Sequence, residues 1–239
     1  MLSTYFLLFM IYSFIGWCGE IAISFLQNKR FINRGFLMGP ICPIYGCGCV
    51  LLTWLLSKYA NDLIVLFCLS MIICSILEYL TSWIMEIIFK MRWWDYSHLK
   101  FNINGRICLY YAAPFGIIGT VVVQYINPLF INLINHIPSG LYNISVVILA
   151  SLFVLDVIVS SNVIFNLKNF VRASSKDSTE DLKKEIKKKM QVNTSLYMRL
   201  IKAFPDFKKI IKVPKAKKKK EKKVKKKKDN ARKDKKTKK

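Results

Sequence analysis

The stretch "NRGFLMGPICPIYG", from Asn33 to Gly46, decides how this chain folds. It is apolar enough for a bilayer, yet it carries one arginine, three glycines and two prolines. Proline removes an N–H and clashes with the preceding helical turn, and glycine lets backbones approach closely. The stretch therefore predicts a helix that is broken or delayed at one face of the membrane. Irregular backbone at that depth survives only when it is buried in protein or lines a cavity. It could form a discontinuous helix that builds a substrate site, or a re-entrant plug packed on its neighbour. Gly39, Pro40, Pro43 and Gly46 are the candidate break or hinge.

Working outward, the flanking segments are long and apolar. About 20 apolar residues are needed to cross the hydrocarbon core. Five runs qualify, at 4–26, 37–57, 63–89, 107–127 and 141–166. The expected fold is therefore all-α, a polytopic bundle of five transmembrane helices. The first residues, MLSTYFLLFMIYSFIGW, lack a basic region and a small-residue cleavage site, so they read as a retained first span rather than a signal peptide.

Charge divides the chain in two. Residues 1–167 hold 8 Lys/Arg against 6 Asp/Glu, a net +2, whereas 168–239 hold 30 against 8, a net +22. The domain organisation expected is a transmembrane domain at 1–167, an amphipathic basic region at 168–213 and a disordered Lys-rich tail at 214–239. Basic residues also alternate between loops. Lys29, Arg30 and Arg34 lie in the first loop, and Lys90, Arg92, Lys100 and Arg106 in the third. The fourth loop has none, and the second is neutral, with Lys58 and Asp62. The positive-inside rule then places the N-terminus outside and the tail in the cytoplasm of a cell-membrane protein.

Acids inside the spans are the strongest functional signal. Glu20, Glu78, Glu86 and Asp156 all fall within apolar runs. A carboxylate there costs at least ~2.5–3.5 kcal/mol, so it faces a cavity, pairs with a cation or stays protonated. The expected orientation puts Glu20 and Glu86 near the cytoplasmic ends of their spans, beside Arg34, Arg92, Asp95 and Arg106. With Glu78, these form the candidate substrate or ion path. The same groups could instead form a network that only locks helices together.

Spans one and three both end in W-x-x-E-I, at Trp17–Ile21 and Trp83–Ile87, with an offset of 66 residues. Each is followed by a basic loop and then a Pro/Gly-containing span, which suggests a repeat of helix pairs. Trp17, Trp83, Trp93 and Trp94 suit the headgroup region as interface anchors. In the third loop, Asn102 and Asn104 before Gly105 signal a tight turn.

Catalytic and cofactor signals are weak. Asp95 and His98 are the only nearby acid/base pair, and no HExxH, GxSxG or GxxxxGK[ST] motif occurs. The seven cysteines read as small buried hydrophobes, without metal-ligand spacing. No cofactor or metal is expected.

The motifs "GWCGE", "RFINRGFLMGPICPIYG", "LEYLTSWIMEIIF" and "RWWDYSHLKFNINGRICL" occur in order over residues 10–130. In them the chain resembles the bacterial type IV ABC-transporter permease family. The resemblance implies a membrane subunit that works with a separate ATPase subunit. A five-span unit is small for a whole pathway, which favours a homodimer. The residues alone leave two alternatives open, a non-transporting scaffold or regulator and a membrane-embedded enzyme acting on lipid.

The tail suits anionic lipid headgroups. Residues 178–190 read as a short capped helix, and 196–213 could lie on the membrane surface. Residues 215–239 hold 17 Lys/Arg against 3 acids and no aromatic residue, so they cannot bury a core. Each well-placed Lys gains about 1 kcal/mol at an anionic leaflet. Nucleic acid is the weaker partner, because no aromatic side chain is present to stack bases.

Overall fold

The computed structural model describes residues 1–29, 33, 35–89 and 92–175, with the backbone alone for 27, 28 and 167–175. Arg30, Arg34, Lys90 and the expectations for 178–239 lie outside the described residues. Met1–Phe170 forms one compact unit, and only this unit is considered below.

The elements run α1 (Leu2–Asn28), α2 (Pro43–Leu56), α3 (Leu63–Phe89), a hairpin of β1 (Asn102–Ile103) and β2 (Ile107–Cys108), α4 (Leu109–Val121), α5 (Asn127–Asn135) and α6 (Ser139–Ser175). Among the described residues, four helical segments are long and apolar enough to cross a bilayer: Leu2–Leu26, Leu63–Phe89, Leu109–Asn135 and Ser139–Asn166. The chain is thus a mostly helical membrane protein.

The expected second span, 37–57, is not one helix. Its first part is irregular, and α2 has only 14 residues. At ~1.5 Å per residue α2 is ~21 Å long, short of the ~30 Å hydrocarbon core. Pro43 occupies its first turn, where the missing N–H costs nothing. The whole segment still runs the length of α3. Phe36 packs on Phe89, at the end of α3, with ring centroids 5.4 Å apart. Leu56 shares a buried cluster with Leu66 near the start of α3.

The expected fourth span is also longer than its apolar run. A five-residue π-helical turn, Val122–Ile126, joins α4 to α5. Pro128 lacks an N–H for the carbonyl four residues earlier, and the wider turn relieves that mismatch. Asn127 follows the turn and is buried. It accepts a hydrogen bond from the Tyr12 hydroxyl and donates to Thr53 Oγ1 at 2.7 Å. Thr53 Oγ1 in turn donates to the Cys49 carbonyl at 2.6 Å. This polar bolt ties α1, α2 and α5 together.

The bundle is apolar outside and more polar within. On α3, Ile72, Ile76, Leu80 and Ile84 are exposed at four-residue spacing, while Ser70, Glu78 and Ser82 are buried. That arrangement suits hydrocarbon as solvent. Interior packing then relies on small residues that let helices approach. Gly46 of α2 lies against Ser13 and the Phe9 backbone of α1, and Gly119 of α4 lies against Ser70 of α3. The helices therefore pair α1 with α2 and α3 with α4.

One small sheet departs from the all-α expectation. The Asn104–Gly105 pair turns β1 into β2, with φ of 54° and 67°. Arg106 N–H donates to the Ile103 carbonyl at 3.0 Å and closes the turn. Two left-handed residues in succession are what a tight hairpin needs, and Asn-Gly supplies them.

Candidate functional site

The irregular segment 35–42 is held by its own amides. Met38 N–H donates to Asp156 Oδ1 at 3.0 Å, and Gly39 N–H donates to Oδ2 at 2.9 Å. Met38 N–H also reaches Ser160 Oγ at 3.0 Å, and that hydroxyl donates to Asp156 Oδ1 at 2.9 Å. Gly35 N–H finds the Asn33 side chain, Ile41 N–H the Gly39 carbonyl, and Cys42 N–H the Ser13 carbonyl. Pro40 has no N–H to place. The carboxylate on α6 thus replaces the partners that a helix would have given this backbone. Gly39 lets the backbone come this close, since a Cβ there would sit 2.8 Å from Asp156 Oδ2 and the carboxylate would have to shift.

A second cluster joins the end of α3 to the hairpin loop. Arg92 Nε and Arg106 Nη2 both reach Glu86 Oε2, at 3.0 and 2.8 Å. Arg92 Nη1 lies 3.7 Å from Asp95 Oδ1 and donates to the Asn104 carbonyl at 3.2 Å. Arg106 is buried, with Nη1 3.5 Å from Ser82 Oγ and the guanidinium over the Tyr79 ring. Among the described residues two acids meet two arginines, which balances their charge. Asp95 also caps the turn at Ser97. The Ser97 hydroxyl and then its amide hold the Asp95 carboxyl below its ordinary value, with Arg92 adding to the effect. His98 is exposed beside it.

Glu78 is different. It is 7% exposed and accepts a hydrogen bond from Tyr96 Oη at 3.1 Å. Burial pushes the Tyr96 phenol up, and the nearby Glu78 charge reinforces this, so Tyr96 remains a donor. Tyr96 stacks on Tyr111 of α4 with centroids 4.9 Å apart. On the neighbouring helix pair, Tyr45 Oη of α2 donates to Glu20 Oε1 of α1 at 2.7 Å. The Glu20 charge also acts on Tyr96. The two W-x-x-E-I glutamates therefore have different partners: Glu20 has a phenol, whereas Glu86 has two guanidinium groups.

Of the candidate path residues, the structure gathers Glu86, Arg92, Asp95 and Arg106 into one cluster. It sets Glu78 two helical turns up α3 from Glu86, and it seats Glu20 on α1. Arg34 lies outside the described residues. The hinge candidates divide by role: Gly39 donates to Asp156, Pro40 is exposed, Pro43 starts α2, and Gly46 packs against α1. Among the tryptophans, Trp83 is exposed on the periphery of the bundle. Trp93 packs on Phe36 and Phe89, and Trp94 Nε1 donates to the Arg106 carbonyl at 2.9 Å. Trp17 stacks on Phe14. The tyrosines and serines that complete the carboxylate shells carry no sequence signal of their own. Only Ser160, four residues after Asp156, could have been singled out.

A family model described as "Putative ABC-transporter type IV" matches residues 7–161. The chain belongs to this family. The family match includes Glu20, Gly39, Glu78, Glu86, Arg106, Asp156 and Ser160, and so spans both the amide cradle and the ion-pair cluster. It stops before the basic tail. No curated protein and no solved structure matches the chain.

Proposed function

We propose that the protein is the permease-type membrane subunit of a transporter, working with a separate ATPase subunit. The observation that carries this reading is a polar interior built from intramembrane carboxylates, lying within the family-matched region. Glu86, Arg92, Asp95 and Arg106 would form its mouth, with Glu78 and Glu20 further in and Arg34 alongside. The segment around Gly39 would be the hinge. The orientation favoured is N-terminus outside and tail in the cytoplasm, with five crossings if the irregular segment and α2 together count as one. The protein would act in the cell membrane, as a homodimer if one copy is too small for a pathway.

Purification from native membranes in mild detergent, with mass spectrometry of what co-purifies, tests the reading. A stoichiometric subunit carrying a GxxxxGK[ST] loop is expected. Recovery of this chain alone would overturn the ATPase-coupled assignment. The tail would bind anionic vesicles electrostatically, so raising the salt should release it. Binding that is insensitive to salt would contradict that part.

A further inference from the structure

We infer that Glu78 is a proton-binding site, reached from the loop end of α3 along a stripe of exchangeable side chains. The inference deepens the polar-path reading by naming the ion, and it rests on that reading, but it does not depend on an ATPase partner.

Ser70, Cys74, Glu78, Ser82 and Glu86 follow one another at four-residue intervals on α3. Residues four apart share a helix face, and each step climbs ~6 Å. The stripe therefore runs from the loop end toward the bilayer centre, with the apolar lipid-facing stripe of Ile72, Ile76, Leu80 and Ile84 offset from it. Its outer member, Glu86, is half-buried beside Arg92 and Arg106. Ser82, Glu78 and Ser70 are all buried.

The acids in the spans are compensated very unequally. Asp156 receives two amides and a hydroxyl. Glu86 receives two guanidinium groups. Glu20 is partly exposed and has a phenol. Glu78 is buried and accepts one phenol hydrogen bond, and among the described residues no cation pairs with it. A buried, unpaired carboxylate relieves its charge most directly by taking a proton.

The groups facing Glu78 favour a proton over a metal ion. Cys74 lies one turn inward on its own helix. Tyr96 approaches from the loop, with Tyr111 of α4 behind it. Tyr45 of α2 and Glu20 of α1 lie beyond, already joined to each other, and Cys49 of α2 neighbours Cys74. Arg106 touches Ser82 one turn outward. Among the described residues, no three His, Cys, Asp or Glu side chains converge as a metal set. A hard cation needs about six oxygen ligands, whereas a proton needs one free carboxyl oxygen. Tyr96 occupies Oε1, which leaves Oε2 for the proton.

Two further atoms point to the same segment. Among the described residues, Ser70 Oγ and Arg106 Nε are buried without a hydrogen-bond partner, one inward of Glu78 and one outward. Both have hydrogen-bonding capacity that the described residues leave unused, on either side of the carboxyl. The step is a simple one: the Glu78 carboxylate takes one proton from hydronium in the loop-side aqueous phase, whose O–H bond breaks to leave water, and becomes a neutral carboxylic acid.

The test is infrared difference spectroscopy on the full chain in lipid nanodiscs, titrated from acid to alkaline pH. A buried carboxylic C=O band that disappears on alkalinisation is expected. It should be lost in Glu78→Gln and shifted in frequency in Tyr96→Phe, which removes the hydrogen bond to Oε1. Hydrogen–deuterium exchange of that band should slow in Ser82→Ala if the stripe is the route. A band that survives Glu78→Gln would overturn the site, as would the absence of any such band. A band that is unmoved by Tyr96→Phe would do the same even if the Glu78 variant failed to fold. Unaltered exchange in Ser82→Ala would overturn the route. None of these outcomes bears on co-purification of an ATPase, so the two readings fail separately.

Discussion

Replacing Asp156 by alanine should release the irregular segment that precedes α2. The substitution strips acceptors from Met38 N–H and Gly39 N–H, now bonded at 3.0 and 2.9 Å. Met38 N–H keeps its existing bond to Ser160 Oγ at 3.0 Å, so Gly39 N–H is the donor left without an acceptor. A buried donor left unpaired costs about 1–3 kcal/mol in water-soluble proteins. Polar contacts in membrane bundles average nearer ~0.6 kcal/mol, because the unfolded chain in lipid also finds partners. Two charge-assisted bonds lost, with one of the two donors keeping a second acceptor, give a destabilisation of about 1–4 kcal/mol on these scales. Asp156→Asn keeps one acceptor oxygen and turns an NH2 toward the other amide, so it should fall between wild type and alanine. Gly39→Ala should act in the same direction, because its Cβ would press on Asp156 Oδ2. Unfolding in mixed micelles of increasing denaturing detergent measures the stability. Amide exchange at Met38 and Gly39, read by mass spectrometry, localises the change. If Asp156→Ala unfolds within about 0.5 kcal/mol of wild type, the range expected of a surface substitution, with exchange at 38–39 unaltered, the cradle is not what holds the segment.

Two other perturbations separate structural from functional charge. Arg106→Ala leaves the half-buried Glu86 still paired with Arg92 and should destabilise by about 1–3 kcal/mol, less than the loss of one partner from a fully buried pair. Replacing Glu86 and Arg106 together should cost less than the sum of the single changes, and a double-mutant cycle in the same micelle assay checks the coupling. The loop should also respond to acid. The Asp95 carboxyl is held below its ordinary value, first by the Ser97 hydroxyl and then by the Ser97 amide. A depressed folded-state value means that its contribution is present above the unfolded value and is lost as pH falls through the folded one. Fluorescence of Trp93 and Trp94 should therefore change below about pH 4, the ordinary carboxylate range, and Asp95→Asn should remove that transition.

Much of this architecture is legible in the residues. The apolar runs locate the long helices, because a helix is the segment that satisfies every backbone group inside lipid. The Asn104–Gly105 pair announces the hairpin, because few other pairs accept two left-handed residues. Pro40 and Pro43 announce the break before α2, because proline cannot continue a helix begun upstream. The cluster of Glu86, Arg92, Asp95 and Arg106 is also readable, since those residues are near neighbours at one end of α3. What required the tertiary structure were contacts across the chain. Asp156 is an acid in a span, but nothing local shows that its partners are amides 118 and 117 residues earlier. The difference between Glu78 and Glu86 is likewise hidden, although they lie two turns apart on one helix. Sequence determines that both carboxylates enter the membrane. Packing alone decides that two arginines reach one and a single phenol reaches the other, because the charge each group can keep depends on what the fold brings within hydrogen-bond distance.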